Sequence, residues 1–123
     1  MSVFAWSATN GEKRFREVDE MTTAVLRFPG ERLASFTSSV GAADVSEYHV
    51  VGTKGSLRVE PAYAYAEGLE HHLQIGEDSK REKFAKGDQF AAELLYFSDC
   101  VLRGREPEPS GEEGLADVRV IRA

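Results

Sequence analysis

Cysteine is nearly absent: Cys100 stands alone among 123 residues. One thiol excludes an internal disulfide and leaves a reducing, cytoplasmic setting as the expectation. Basic charge is in deficit, with 15 Lys and Arg against 21 Asp and Glu and a net charge of -6. Such a surface repels phosphate backbones and argues against nucleic acid as a partner. Long apolar runs are missing as well. None approaches the ~18 residues that span a bilayer, so no membrane partner is expected. Met1 to Trp6 lacks the basic-then-apolar pattern of a secretory signal. No Gly-x-Gly-x-x-Gly occurs, which leaves no fingerprint of a dinucleotide-binding domain. Repeats, low-complexity tracts and long linkers are lacking too. What remains is the mixture of a globular domain, 41% hydrophobic and 29% charged. Its length suits one domain over residues 1–123.

The first two thirds of the chain have strand character. Val3 to Ala8 ends at Asn10-Gly11, a turn dipeptide whose members tolerate positive φ. A charged stretch runs on to Asp19. Met21–Phe28, Pro29-Gly30 and Leu33–Val40 predict an antiparallel hairpin. Tyr48–Val51 and Leu57–Val59 predict a second hairpin, around Gly52-Thr53-Lys54-Gly55. Leu69, His71, Leu73 and Ile75 alternate with Glu70, His72 and Gln74, the period of a strand with one buried face. Gly76-Glu77-Asp78 turns the chain into a charged strand, Lys80 to Ala85. Its lysines and arginine mark it as an edge.

Two helices follow. Asp88 is placed to cap a helix over Gln89–Arg103, and Phe90, Leu94, Phe97 and Val101 recur at helical spacing. That stripe is expected to lie on the sheet. Gly104 supplies a left-handed stop. Ser110 and Glu113 form a capping box that opens a second helix, with Leu115, Val118 and Ile121 on its apolar side. This helix reaches the C-terminus without a stop signal, which predicts that the sequence is a piece of a longer polypeptide. Strands first and helices after define an α+β fold: an open, mainly antiparallel β-sheet with helices packed on one face. Thr22, Thr23, Ser35, Thr37, Ser38 and Ser39 place small hydroxyls on both faces of one hairpin. Its uncovered face is either solvated or a subunit interface.

Catalytic constellations are hard to assemble. Neighbours on a strand, such as His71 and His72, point to opposite faces and do not chelate. His49 lies on another strand. Cys100 sits among apolar helix neighbours, as a structural thiol does. Gly52-Thr53-Lys54-Gly55-Ser56 has the glycine, lysine and serine of a phosphate loop but not the order, and a strand follows it instead of a helix. The acidic runs Glu17-Val18-Asp19-Glu20 and Glu112-Glu113 suit a solvated turn and a helix start. These residues predict no catalytic, cofactor or metal site in the chain. They leave open a small-molecule binding module, a dimerising module, or a part of something larger.

Several segments, in order, resemble the C-terminal domain of the Gfo/Idh/MocA oxidoreductases, nearest the glucose–fructose oxidoreductase-like branch. The most specific run is Gln89-Phe90, Glu93-Leu94 and Phe97. It continues through Gly104 and Pro107 to Ser110-Gly111-Glu112-Glu113-Gly114-Leu115, Asp117-Val118-Arg119 and Ile121. Val51-Gly52-Thr53-Lys54-Gly55-Ser56-Leu57 is similar to the family's Gly-Thr-x-Gly turn, and Phe28-Pro29-Gly30 fits as well. The resemblance implies a parent enzyme acting on sugars or polyols, with a Rossmann domain that precedes this segment and binds NAD or NADP. It also implies a Glu-Lys-Pro lysine and an acid/base helix, and this chain has neither. Glu12-Lys13-Arg14 lacks the proline, so the lysine role is not carried over. The chain alone is then expected to be inactive.

Two sets of residues gain a role from the resemblance. Asp88, Gln89 and Phe90 match a segment near the domain junction, which implies proximity to a substrate pocket. A plain N-cap and a core phenylalanine are the alternative. Thr23, Ser35, Thr37 and Ser39 lie on the face that in the family commonly joins subunits, which implies a homo-oligomer. A self-standing dimerisation or small-ligand module of the same fold is the rival reading.

Overall fold

A computed structural model describes residues 1–123. Seven strands and two helices follow in order, every strand pairing is antiparallel, and the α+β class is as expected. The strands are divided between a three-stranded and a four-stranded sheet. The chain forms two units, residues 1–43 with 108–123, and residues 44–107.

In the first unit, β1 (Ser2–Ala8), β2 (Met21–Phe28) and β3 (Arg32–Ser39) lie in the order β1-β2-β3. The β2–β3 turn needs two successive residues at positive φ, Gly30 at 76° and Glu31 at 59°. Asn10 tightens the turn after β1, its Oδ1 accepting from the Glu12 amide at 2.9 Å. The charged stretch that follows hides a 3₁₀ turn, Lys13–Phe15, which buries Phe15. Ala24, at the centre of β2, is also buried. Glu20 is a buried acid whose carboxylate accepts from the Asn10 amide at 2.7 Å, while its backbone bonds Ala8 and Val40. It thereby joins the ends of all three strands. The second helix of the chain, α2 (Gly111–Ile121), belongs to this unit. It opens with the predicted box: Ser110 N donates to Glu113 and Glu113 N to Ser110 Oγ.

The second unit holds β4 (Tyr48–Val51), β5 (Gly55–Val59), β6 (Leu69–Ile75) and β7 (Asp78–Phe84), paired in sequence order. Gly55 is required where β5 meets β6, because a Cβ there would strike the Gln74 carbonyl. Gly76, at φ 59°, opens the tight β6–β7 turn. The last strand is an exposed edge, as its charges predict. Val59 is almost wholly buried.

Helix α1 (Gln89–Arg103) has the predicted cap at each end. Asp88 accepts from the Ala91 amide at 2.9 Å, and Gly104 turns left-handed at φ 62°. Asp99 then holds both Arg103 and Arg105 across that stop. The apolar stripe departs from expectation. Phe90, Leu94, Phe97 and Val101 are 53–68% exposed, and the buried residue of the helix is Cys100. Periodicity identifies a side that prefers to leave water, but it does not identify what covers that side.

Candidate substrate cleft

An open cleft of about 530 Å³ lies within the second unit, in the size range of small-molecule sites. One wall is the segment between β5 and β6, with Tyr63, Tyr65 and Glu67. The other runs from Phe84 into the start of α1, with Gly87, Asp88 and Gln89. Phe90 lines an adjoining hollow with Tyr65 and Lys86. The three residues singled out from sequence, Asp88, Gln89 and Phe90, therefore border one concave region. Asp88 is the N-cap, yet only Oδ1 is spent on that bond. Phe90 is 55% exposed and so is not a core residue.

Sequence reasoning missed the opposite wall. Residues 62–66 read Ala-Tyr-Ala-Tyr-Ala, which puts small side chains between two rings. Tyr65 meets Phe90 edge-on with centroids 5.8 Å apart, and Tyr63 leans on Tyr48 at 6.0 Å. The Tyr63 amide also donates to Ser46 Oγ at 2.8 Å, so the segment is pinned to the residues leading into β4. The signal was present in the alternation, but the segment has neither strand length nor turn residues at its centre. Phe84, where the second wall begins, packs on the His71 ring with centroids 4.4 Å apart.

The histidines behave as neighbours on a strand must. In register His71 faces Val59 and Glu82, while His72 faces Arg58 and Arg81 and bonds Glu70 at 3.1 Å. Arg58 is held in its charged form by Glu47 and Glu60, which raise its pKa. Gly52 to Ser56 is a hairpin connection into β5, not a phosphate loop.

The other candidate surface lies on the three-stranded sheet of the first unit. Register puts Thr23, Ser35, Thr37 and Ser39 on one face with Phe4, Trp6, Met21, Val25 and Leu33. Thr23 and Thr37 bond to each other through their hydroxyls at 2.9 Å. Ser39 is different, since its Oγ accepts from the Gly41 and Ala42 amides and so serves the turn after β3. The face is more apolar than its hydroxyls suggest: Phe4, Trp6 and Leu33 are 64–74% exposed. The aromatic residues come from β1, which the hairpin pattern does not reveal as a partner of β2.

A dinucleotide would need free backbone amides at a helix start. Asp88 already caps α1, and Ser110 caps α2 with Glu112 and Glu113 in its first turn. A diphosphate would meet negative charge at both places, so neither helix start offers that group a site.

An antiparallel α+β domain with a mixed aromatic and carboxylate cleft is thus the class that the structure defines. Residues 2–123 match the family model described as the oxidoreductase family, C-terminal alpha/beta domain, and the chain belongs to that Gfo/Idh/MocA family. Among curated relatives, D-xylose 1-dehydrogenase [NADP(+)] of Haloarcula marismortui is 35% identical over 113 residues, covering 91% of this chain and 31% of that protein. The human trans-1,2-dihydrobenzene-1,2-diol dehydrogenase is 26% identical over 117 residues, 88% of this chain and 35% of that one. The crystal structure of aldose-aldose oxidoreductase from Caulobacter crescentus, complexed with glycerol, superposes with a TM-score of 0.86 at 33% identity. That superposition covers 98% of this chain and 36% of the other. The chain therefore spans about a third of the length of the relatives it matches.

Proposed function

We propose that this chain is the pocket-forming and subunit-joining part of an NAD(P)-dependent sugar or polyol oxidoreductase, inactive alone. The observation that carries the reading is the cleft bordered by Asp88, Gln89 and Phe90, in a domain of an oxidoreductase family. Relatives named as acting on D-xylose with NADP(+), or as an aldose-aldose oxidoreductase, support a sugar. A nucleotide-binding domain elsewhere in the polypeptide supplies the cofactor, and with it hydride transfer at a carbinol carbon. The work left to this chain is to hold the substrate. Carboxylate and amide groups accept from and donate to hydroxyls, and the aromatic side chains exclude water beside them.

The face of Thr23, Ser35, Thr37 and Ser39 is the homo-oligomer surface in this reading. Its support is the company those residues keep, since Phe4, Trp6 and Leu33 beside them present apolar area to water.

The test is an assay of the full polypeptide carrying this domain, with NAD+ or NADP+ against a panel of aldoses and polyols. Reduced nicotinamide, read by absorbance, should form with at least one of them. A folded, cofactor-binding protein that oxidises none, and reduces none in the reverse direction, would overturn the reading.

A further inference from the structure

We infer that Tyr63 and Tyr65 form a stacking platform for the ring of an aldopyranose, and that Glu67, Asp88 and Gln89 meet its hydroxyls. The inference rests on the sugar reading above and narrows it to the cyclic form of the substrate.

Three observations carry it. The first is the spacing. Two tyrosines stand two residues apart, with the small residues Ala62, Ala64 and Ala66 as their sequence neighbours. Both line the cleft, and both stay 64–71% exposed.

The second is support from behind. Tyr65 touches Phe90 by an edge contact, and Tyr63 touches Tyr48. Neither contact is a face-to-face stack, so each restrains its ring without lying flat upon it. Ser46 holds the backbone of Tyr63 through its amide. Rings held in this way lose little freedom when a ligand arrives, which favours binding.

The third is the chemistry around the cleft. A pyranose presents polarised C–H groups on its faces and hydroxyls around its edge. The electron-rich face of a tyrosine suits the former. Carboxylates and an amide suit the latter, and Glu67, Asp88 and Gln89 line the same cleft. Asp88 keeps Oδ2 available after capping α1 through Oδ1. A purely apolar ligand would leave these groups without partners, and an acyclic polyol has no ring face to stack.

The experiment uses the full polypeptide with the aldoses glucose and xylose and the acyclic polyol sorbitol. Steady-state kinetics are paired with saturation-transfer NMR of the same three compounds, which reads binding without turnover. Tyr65→Ala and Tyr63→Ala should each raise KM for the aldopyranoses roughly fivefold, the scale of one aromatic stacking contact, with a smaller change in kcat. The ring C–H signals should lose saturation transfer in the same variants. Tyr65→Phe keeps the ring and should restore most of the lost affinity, whereas a hydroxyl-only role would make it resemble Tyr65→Ala. Sorbitol, if turned over, should be insensitive to both alanine variants. Unchanged KM and unchanged NMR in both would overturn the platform while leaving the oxidoreductase reading in place. Tyr65-dependent binding without turnover of any sugar would uphold the platform and overturn the oxidoreductase reading.

Discussion

A Cβ placed on Gly41 would lie 2.8 Å from both Cγ and Cδ of Glu20. That glutamate is only 6% exposed and joins the ends of β1, β2 and β3 through its carboxylate and backbone. The segment leaving β3 must therefore pass a buried acid, and only glycine leaves the room.

Gly41→Ala should cost about 1–3 kcal/mol, the usual scale of overpacking, as read by urea denaturation. Glu20→Ala should cost a similar ~1–3 kcal/mol for a different reason, because the Asn10 amide loses its acceptor. The two sites touch, so the double variant should cost less than the sum. Full additivity would mean that the contact is not sensed.

Asp88 has two duties that one pair of substitutions separates. Asn also caps helices well, so Asp88→Asn should leave the unfolding midpoint nearly unchanged. It removes the charge that faces the cleft, and sugar affinity in the full polypeptide should fall. Asp88→Ala loses both and should destabilise by about 1 kcal/mol. Ser110→Ala, remote in sequence and outside the cleft, should cost about 1 kcal/mol with sugar affinity unaffected. Calorimetry and sugar titration on the same samples check all three.

Trp6→Glu tests the sheet face. Trp6 is 74% exposed and its ring meets Phe4, so the change should cost the fold little beyond that one contact. If the face joins subunits, a charge there should weaken association on the order of thirtyfold, the scale of an interface hot spot. Sedimentation velocity across a concentration series would read this. An unaltered oligomer would place the interface elsewhere.

NADH and NADPH titrated into this chain up to about millimolar concentration should, after inner-filter correction, cause no quenching of Trp6 and no enhanced, protein-bound nicotinamide emission. The acids at both helix starts are the reason. Saturable binding at micromolar concentration would instead favour a self-standing ligand-binding module.

Acid should act through Glu82, among other groups. Lys80 beside it, by hydrogen bond and by charge, lowers its pKa. A carboxylate lowered in the folded state contributes stability above its unfolded pKa and loses it as pH falls through the folded value. The pair is exposed, so the effect should be small and should fade with salt. Lys80→Met should flatten that part of the acid limb in a pH-stability profile.

Local chemistry made much of the fold legible. Asp88, Gly104, Ser110 and Glu113 marked both helices because caps are short-range bonds between neighbours in sequence. The alternation in residues 69–75 and the glycines at 30 and 76 marked strands and turns for the same reason. What covers the helices was not legible. The Phe90–Val101 stripe announces an apolar side, but only tertiary structure tells where that side goes. The cleft was half legible. Asp88 to Phe90 stood out because they open a helix, while Tyr63 and Tyr65 gained meaning only when folding set them against Asp88. Phe15 was hidden by the charges around it, and the aromatic patch of Phe4 and Trp6 by a long-range strand pairing.

Leu94, Leu95 and Leu102 of α1 stay 68–85% exposed to water. A partner that buries them only when α1 is folded stabilises the fold. Its concentration then enters the folding equilibrium as RT ln(1 + [L]/Kd). The melting temperature of this domain should then rise with the concentration of any partner that shelters those leucines.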